Sequence, residues 1–160
     1  MHIRPAHVND AQAIWRIIGA TIRAGETYAL DRGMREADAL SYWMGNDRET
    51  FVAEEDGEIL GTYYMRPNQA GGGNHICNCG YMTSAAAMGR GVARAMCQHS
   101  LEHARKCGYR GMQFNFVVSS NDRAIALWLS FGFEIVARLP QAFHHPRLGY
   151  VDALVMFRLL

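Results

Sequence analysis

The sequence predicts an α/β (α+β) domain: a mixed sheet with helices on both faces. Three observations lead there. Strand and helix patterns interleave along the whole chain in the order β-α-α-β-β-β-α-β-α-β-β. Asp56-Gly57, set between two strand patterns, is a strong hairpin signal and makes that pair antiparallel. A third strand passes through a Gly-rich turn into a long helix between Asn78 and Gly108, a layout suited to a helix packed on a sheet. The 160 residues are one domain's worth, so residues 1–160 are read as a single domain, and no internal repeat is visible.

In order, His2 to Pro5 is a short strand, and Asn9 or Asp10 can cap the helix that follows. Ala13, Ile14, Ile17, Ile18 and Ile22 repeat at helical spacing through about Arg23. Gly25 to Tyr28 reads as a loop, and Arg35 to Gly45 as a short helix with Ala39, Leu40 and Trp43 on one side. Thr50–Glu55 and Glu58–Met65 are the hairpin strands, and Pro67 to Gly73 reads as a mobile hairpin tip because no helix follows its glycines. Asn78–Thr83 is a strand, and the helix after Gly91 lasts to Cys107, with Gly108 as a C-terminal stop. Tyr109 to Val118 is a near-continuous apolar strand interrupted by Gln113 and Asn115. Asn121 caps a helix carrying Ile125, Leu127, Trp128 and Leu129, which Gly132 ends. Phe133–Leu139 is a strand, Pro140–Leu148 a loop, and Tyr150–Leu159 a strand with Val151, Ala153, Val155, Phe157 and Leu159 on one face.

Composition narrows the class. Apolar residues make up 49% and charged residues 19%, and the formal net charge is +1. That balance suits a globular domain and gives no sign of a nucleic-acid groove or a polybasic membrane surface. Met1-His2-Ile3-Arg4-Pro5, polar and broken by proline, is not expected to act as a signal peptide, and every apolar run falls far below the ~20 residues a membrane span needs. Cys77, Cys79, Cys97 and Cys107 form no CxxC pair, so reduced thiols and a cytoplasmic location are expected. A homodimer is compatible with the sequence.

The strand–turn–helix between Asn78 and Gly108 is the arrangement that builds an anion site. The first N–H groups of a helix lie free, its dipole favours negative charge by about 0.3–2 kcal/mol, and glycines at 89 and 91 let a phosphate approach the backbone. Arg90 and Arg94 add positive charge. A Walker loop fails because no Lys-Ser or Lys-Thr exists, and a dinucleotide fingerprint fails because Arg94 stands at its third glycine.

The run Met88-Gly89-Arg90-Gly91-Val92-Ala93 resembles the acyl-coenzyme A pyrophosphate loop of the GNAT N-acetyltransferase superfamily, [Q/R]-x-x-G-x-[G/A], with Met88 in place of the usual Gln or Arg. Asn121 to Trp128, followed by Phe131-Gly132-Phe133, resembles a second signature of that superfamily, N-x-x-A-x-x-L-Y-x-x-x-G-F. The resemblance implies the GNAT fold, a mixed, mostly antiparallel central sheet splayed between its fourth and fifth strands. It also implies acetyl-CoA wedged in that opening, its pantetheine paired with backbone near Tyr81, Met82 and Thr83. Met88, Gly89, Arg90, Gly91, Val92, Ala93 and Arg94 would hold the pyrophosphate, with Asn121 and Trp128 beside the thioester. Trp128 replaces the Tyr that commonly protonates the leaving thiolate, and an indole N–H donates a hydrogen bond without delivering a proton.

GTYYMRPN (Gly61–Asn68), HICNCGYM (His75–Met82), QFNFVVSSN (Gln113–Asn121) and YVDALVM (Tyr150–Met156) resemble the fungal-type proline-analogue N-acetyltransferases, which acetylate azetidine-2-carboxylate and related imino acids. That likeness implies three asparagines at the reaction centre: Asn78 and Asn115 as acceptor-binding residues, with Asn115 and Asn121 catalytic. Between Asn74 and Ser120 the only Asp or Glu is Glu102, on a helix, so the sheet wall of the site carries no built-in carboxylate base.

Other features compete with this reading and lose to plainer ones. His99-x-x-Glu102-His103 matches a zinc-peptidase pattern but sits inside the helix the anion site needs, so no metal is expected. His144 and His145 read as residues of a solvated loop, Glu26 and Tyr28 as residues of an ordinary exposed loop, and Cys77 and Cys79 as buried thiols. The leading function is acetyl-CoA-dependent N-acetylation of a small-molecule amine, that of an amino or imino acid, toxic analogues among them. A peptide N-terminus, polyamine or drug amine as acceptor, and a non-catalytic acyl-CoA sensor, remain alternatives.

Overall fold

The computed structural model describes residues 1–160 and places seven strands in one sheet. They are β1 (His2–Pro5), β2 (Glu49–Glu55), β3 (Glu58–Pro67), β4 (Ile76–Thr83), β5 (Gly111–Val118), β6 (Glu134–His145) and β7 (Gly149–Leu159). The spatial order is β1-β2-β3-β4-β5-β7-β6. Every neighbouring pair is antiparallel except β4 and β5. A parallel pair needs a crossover, and the helix Val92–Lys106 supplies it. That helix is α3; α1 is Ala11–Ala24, α2 is Glu36–Trp43 and α4 is Asp122–Ser130.

The β4–β5 ladder is short. Only Ile76 opposite Gly111 and Cys77 opposite Met112 are in register, after which the strands part. β5 then breaks its own pairing with β7 between Phe114 and Val117, a bulge that re-aims the strand next to the gap. The splay implied by the family resemblance is therefore present, and it begins at Asn78.

Two apolar layers hold the sheet. On one face α1 and α2 bring Ile14, Ile18, Ile22 and Trp43 against Val52, Tyr64 and Met82. On the other, α3 and α4 bring Met96, Leu101 and Trp128 against Tyr63, Phe114 and Met156. The isoleucine spacing of α1 puts four of them on one stripe, and burying each contributes about 1.5–3 kcal/mol. Trp43 is fully buried and donates its indole N–H to Thr62 Oγ1 at 3.0 Å, so the one polar group of that ring is satisfied. No helix is long and apolar enough to cross a membrane.

Most boundaries fall within two residues of expectation; three features differ. Pro140–Leu148 is not a loop: β6 runs on to His145 and forms a hairpin with β7. Proline is tolerated because β6 is the sheet's edge strand, and a bulge between Leu139 and Phe143 takes up the irregularity. Asp152 holds that bulge, accepting from Gln141 N at 2.9 Å and Arg138 Nη1 at 2.8 Å. Second, His145 is buried, its Nδ1 accepting from Arg147 N and Leu148 N, and His144 stacks on Tyr150. Third, the centre of β7 is buried on both faces, Ala153 on the expected face and Leu154 and Met156 on the other, while Phe157 is half-buried and Leu159 exposed.

Asp10 anchors the N-terminal layer. It accepts from Arg4 Nη1 at 2.8 Å, Arg4 Nη2 at 3.0 Å and His7 N at 2.7 Å, and Arg4 also reaches Glu54. The Arg4 guanidinium holds the Asp10 carboxyl below its ordinary range. A lowered native pKa stabilises above the unfolded carboxylate pKa of ~3.9 and is lost as pH falls through the native value. Asp10→Ala is expected to cost about 1.5–3 kcal/mol at pH 7, with the difference from the parent shrinking below pH ~4. Urea unfolding at pH 7 and pH 3 checks this; a constant difference at both would show that packing, not charge, is at work.

Candidate active site

The splay opens into a cavity of about 300 Å³. Strand alternation divides its lining between the two faces of the sheet. On β4, Cys77, Cys79 and Tyr81 turn toward α3 and α4, whereas Asn78, Gly80 and Met82 turn toward α1 and α2. On β5, Phe114 joins the α3/α4 layer, so Asn115 stands on the other side.

Asn78 is buried and donates from Nδ2 to Gln113 O at 2.9 Å, bridging the strands just where their ladder ends. Its Oδ1 makes no hydrogen bond. Asn115 is exposed at the rim, where it donates to Asn68 Oδ1 at 2.7 Å and accepts from Gln113 Nε2 at 2.9 Å. Asn121 caps α4, its Oδ1 accepting from Ala124 N at 3.3 Å, and its Nδ2 is uncommitted. All three asparagines line the same cavity.

Tyr28 was expected in an ordinary exposed loop, and the structure corrects this. Its hydroxyl donates to Tyr81 O at 2.9 Å and accepts from Tyr81 N at 2.8 Å. Burial pushes the phenol above its usual pKa. The backbone of Tyr81, which faces the gap, is thus engaged by a side chain. Met82 pairs with Thr62 of β3, and ladder alternation turns its backbone groups toward that strand and away from the splay. Of the three pantetheine-pairing residues expected here, Tyr81 and Thr83 are the ones whose backbone can face the opening.

On the α3/α4 side, Trp128 is buried with its ring centroid 4.9 Å from those of Tyr81 and Phe114. The Tyr81 hydroxyl is spent on Ser100 Oγ at 2.7 Å, away from the opening. The turn before α3 bears out its glycine pattern. Gly89 and Gly91 have φ of +80° and +77°, and a Cβ on either would meet no protein atom within 4 Å. The N–H groups of Gly91, Val92, Ala93 and Arg94 make no backbone hydrogen bond, and no side chain caps the helix. Met88 is exposed beside them. Arg90 pairs with Glu55, and Arg94 lies over Phe131 while donating to Ser130 Oγ at 3.3 Å, so both cations stand at the turn with partial partners.

The competing clusters resolve separately. His99 Nδ1 bonds the Tyr63 hydroxyl at 2.7 Å and Glu102 bonds Gln98, so the zinc-peptidase pattern does not converge. His103 meets Glu49 at 2.8 Å and Cys107 at 3.4 Å on the surface, outside the cavity. Glu26 pairs with Arg147 at 2.7 Å, tying the α1–α2 connection to the β6–β7 turn. Cys77 and Cys79 are buried as expected, and desolvation raises the Cys79 thiol well above its ordinary pKa.

A cleft between parted parallel strands, beside an open amide cradle at a helix start, is the arrangement that the resemblance to GNAT acetyltransferases implies. Comparison with known proteins agrees: residues 16–133 match the model of the Acetyltransferase (GNAT) family, and the chain belongs to that family. It is 27% identical over 158 residues to N-acetyltransferase aca1 of Schizosaccharomyces pombe, covering 86% of this chain and 74% of that protein. The structure of a GCN5-related N-acetyltransferase from Kribbella flavida superposes with a TM-score of 0.95 at 43% identity, covering 99% and 97% of the two chains. The fold is also shared with yncA of Salmonella typhimurium, solved with acetyl-CoA, at a TM-score of 0.87 and 24% identity over 100% and 94%.

The cradle fits acetyl-CoA, which supplies an acetyl group activated as a thioester. Free amides from Gly91 to Arg94 suit a pyrophosphate, and the two left-handed glycines leave it room. Gly91→Val forces a β-branched residue into positive φ and fills that room. It is expected to weaken CoA binding by about tenfold or more, roughly 1.4 kcal/mol, while the protein stays folded. Calorimetry giving near-parental affinity in a folded variant would show that the phosphates bind elsewhere.

Proposed function

We propose that this acetyltransferase acts on the amine of a small amino or imino acid by direct transfer from acetyl-CoA. The observation that carries the reading is the charge inventory of the cavity: no Asp, Glu, Lys or His lines it, and its only formal charge is a guanidinium. A polyamine or basic drug would call for acidic residues there, and none is present.

Asn78 and Asn115 are proposed to bind the acceptor, with Asn115 and Asn121 working at the reaction centre. The amine must arrive neutral. A peptide α-amine of pKa ~8 costs about 1.4 kcal/mol to deprotonate at pH 7, against about 4.6 kcal/mol for a lysine-like amine of pKa ~10.4, and the amine of a free amino or imino acid, beside its own carboxylate, lies nearer the second. Without a carboxylate in the walls, the proton of the amine is left to water. On the leaving side, the uncommitted Nδ2 of Asn121 and the indole N–H of Trp128 can donate to a developing thiolate. Four free cysteines, three of them buried, are in keeping with a cytoplasmic location.

Thiol release with acetyl-CoA across amino acids, imino acids, their amides, diamines and short peptides tests the proposal. The acids are expected to be the best acceptors; a preference for diamines or peptides would overturn it. Asn115→Ala should lower kcat/KM for an α-carboxylate acceptor by about ten- to a hundredfold, the loss of one hydrogen bond to a charged group. Trp128→Tyr should raise kcat or add a basic limb to its pH profile. Unchanged kcat at every pH would show that thiolate protonation does not limit the rate.

A further inference from the structure

We infer that Arg66 is the carboxylate anchor of the acceptor site and that Asn78 Oδ1 receives the amine beside it, so the pair selects α-amino and α-imino monocarboxylic acids. The inference rests on the function proposed above and names the part of the site that would recognise the acid.

Arg66 lies on β3 directly opposite Asn78 of β4, so both side chains leave the sheet on the α1/α2 face. It is the one formally charged residue lining the cavity. Its side chain is 33% exposed, so it can be reached from the opening. Its Nε is buried and has no hydrogen-bond partner. Nη2 has none either; the only contact of the guanidinium is Nη1 to Asp47 Oδ2, a long 3.4 Å. Asp47 is already committed elsewhere, accepting from Arg48 at 2.7 Å on one oxygen and 2.9 Å on the other. A rotation of the partly exposed side chain that uncovers Nε would present the unpaired Nε/Nη2 edge, the side of a guanidinium that grips a carboxylate with two parallel N–H bonds.

A buried donor without a partner is costly in a folded protein and calls for a partner, a bound anion among the possible ones. The cross-strand neighbour has the complementary vacancy. Asn78 gives its N–H to Gln113 and keeps an unpaired Oδ1, which can accept from an amine but not hold a carboxylate. Cation and acceptor therefore stand side by side on paired strands, at the point where the strands begin to part. Tyr42, Tyr64 and Leu30 line the remaining wall, which suits a small apolar side chain or ring.

The test compares a good amino-acid acceptor with its carboxamide, by thiol release, in the parent and in Arg66→Met, Arg66→Lys and Asp47→Asn. Arg66→Met is expected to lose about a hundredfold in kcat/KM on the acid and less than about threefold on the amide, erasing the preference. Arg66→Lys should restore part of the loss on the acid, because it keeps the charge without the fork. Asp47→Asn should keep the parental preference. Melting temperature and CoA affinity, both expected at parental values, separate a lost contact from a damaged fold. A preference that survives in Arg66→Met, or equal losses on acid and amide, would overturn the anchor and leave the proposed function standing. A parent with no preference for the acid would overturn both.

Discussion

The site depends on a ladder that stops. β4 and β5 share two residue pairs at Ile76 and Cys77 and then diverge, although each remains paired along its other edge. Backbone groups left without a strand partner in a protein interior must be satisfied some other way. Here Asn78 spans the first missing rung, and the Tyr28 hydroxyl fills the next vacancy at Tyr81. The gap is thus kept open by polar groups that can change partners, between two apolar layers that cannot easily move.

The same geometry divides the labour. Pleating sends alternate side chains of β4 to opposite faces, so the two walls of the opening are built from interleaved residues of one strand. The α3/α4 side is aromatic, with Trp128, Tyr81 and Phe114 packed together beneath the amide cradle. The α1/α2 side is nearly uncharged, with Asn78 and Asn115 near one guanidinium and Leu30, Tyr42 and Tyr64 beside them. On the proposed reading such a wall would position an amine without taking its proton, in a reaction where binding geometry supplies most of the catalysis.

Much of this was legible in the sequence, for physical reasons particular to each element. The isoleucine stripe of α1, the Asp56-Gly57 turn and the Asn121 cap are local signals, and the structure places all three as read. The glycines at 89 and 91 were readable because only a turn with positive φ needs two of them around one residue. The β6 hairpin was not readable, because Pro140 speaks against a strand unless the strand is known to be an edge, and sheet order is a tertiary fact. Tyr28 and Arg66 were missed for a related reason. Each is an ordinary residue in its own segment; the contact of Tyr28 is with Tyr81, 53 positions away, and the role proposed for Arg66 depends on Asn78, 12 positions away, both on β4.

The central claim is that both substrates meet at the opening between β4 and β5, from opposite faces of the sheet. A crystal structure of the protein with CoA and an amino-acid acceptor tests it most directly. The account predicts the pantetheine arm between Tyr81 and Phe114, with the Tyr28 hydroxyl displaced from at least one of its two contacts to Tyr81. It also predicts the acceptor nitrogen between Asn78 and the thiol. An acceptor lying on the α3/α4 side, or a pantetheine arm running outside the splay with the Tyr28–Tyr81 contacts intact, would contradict it.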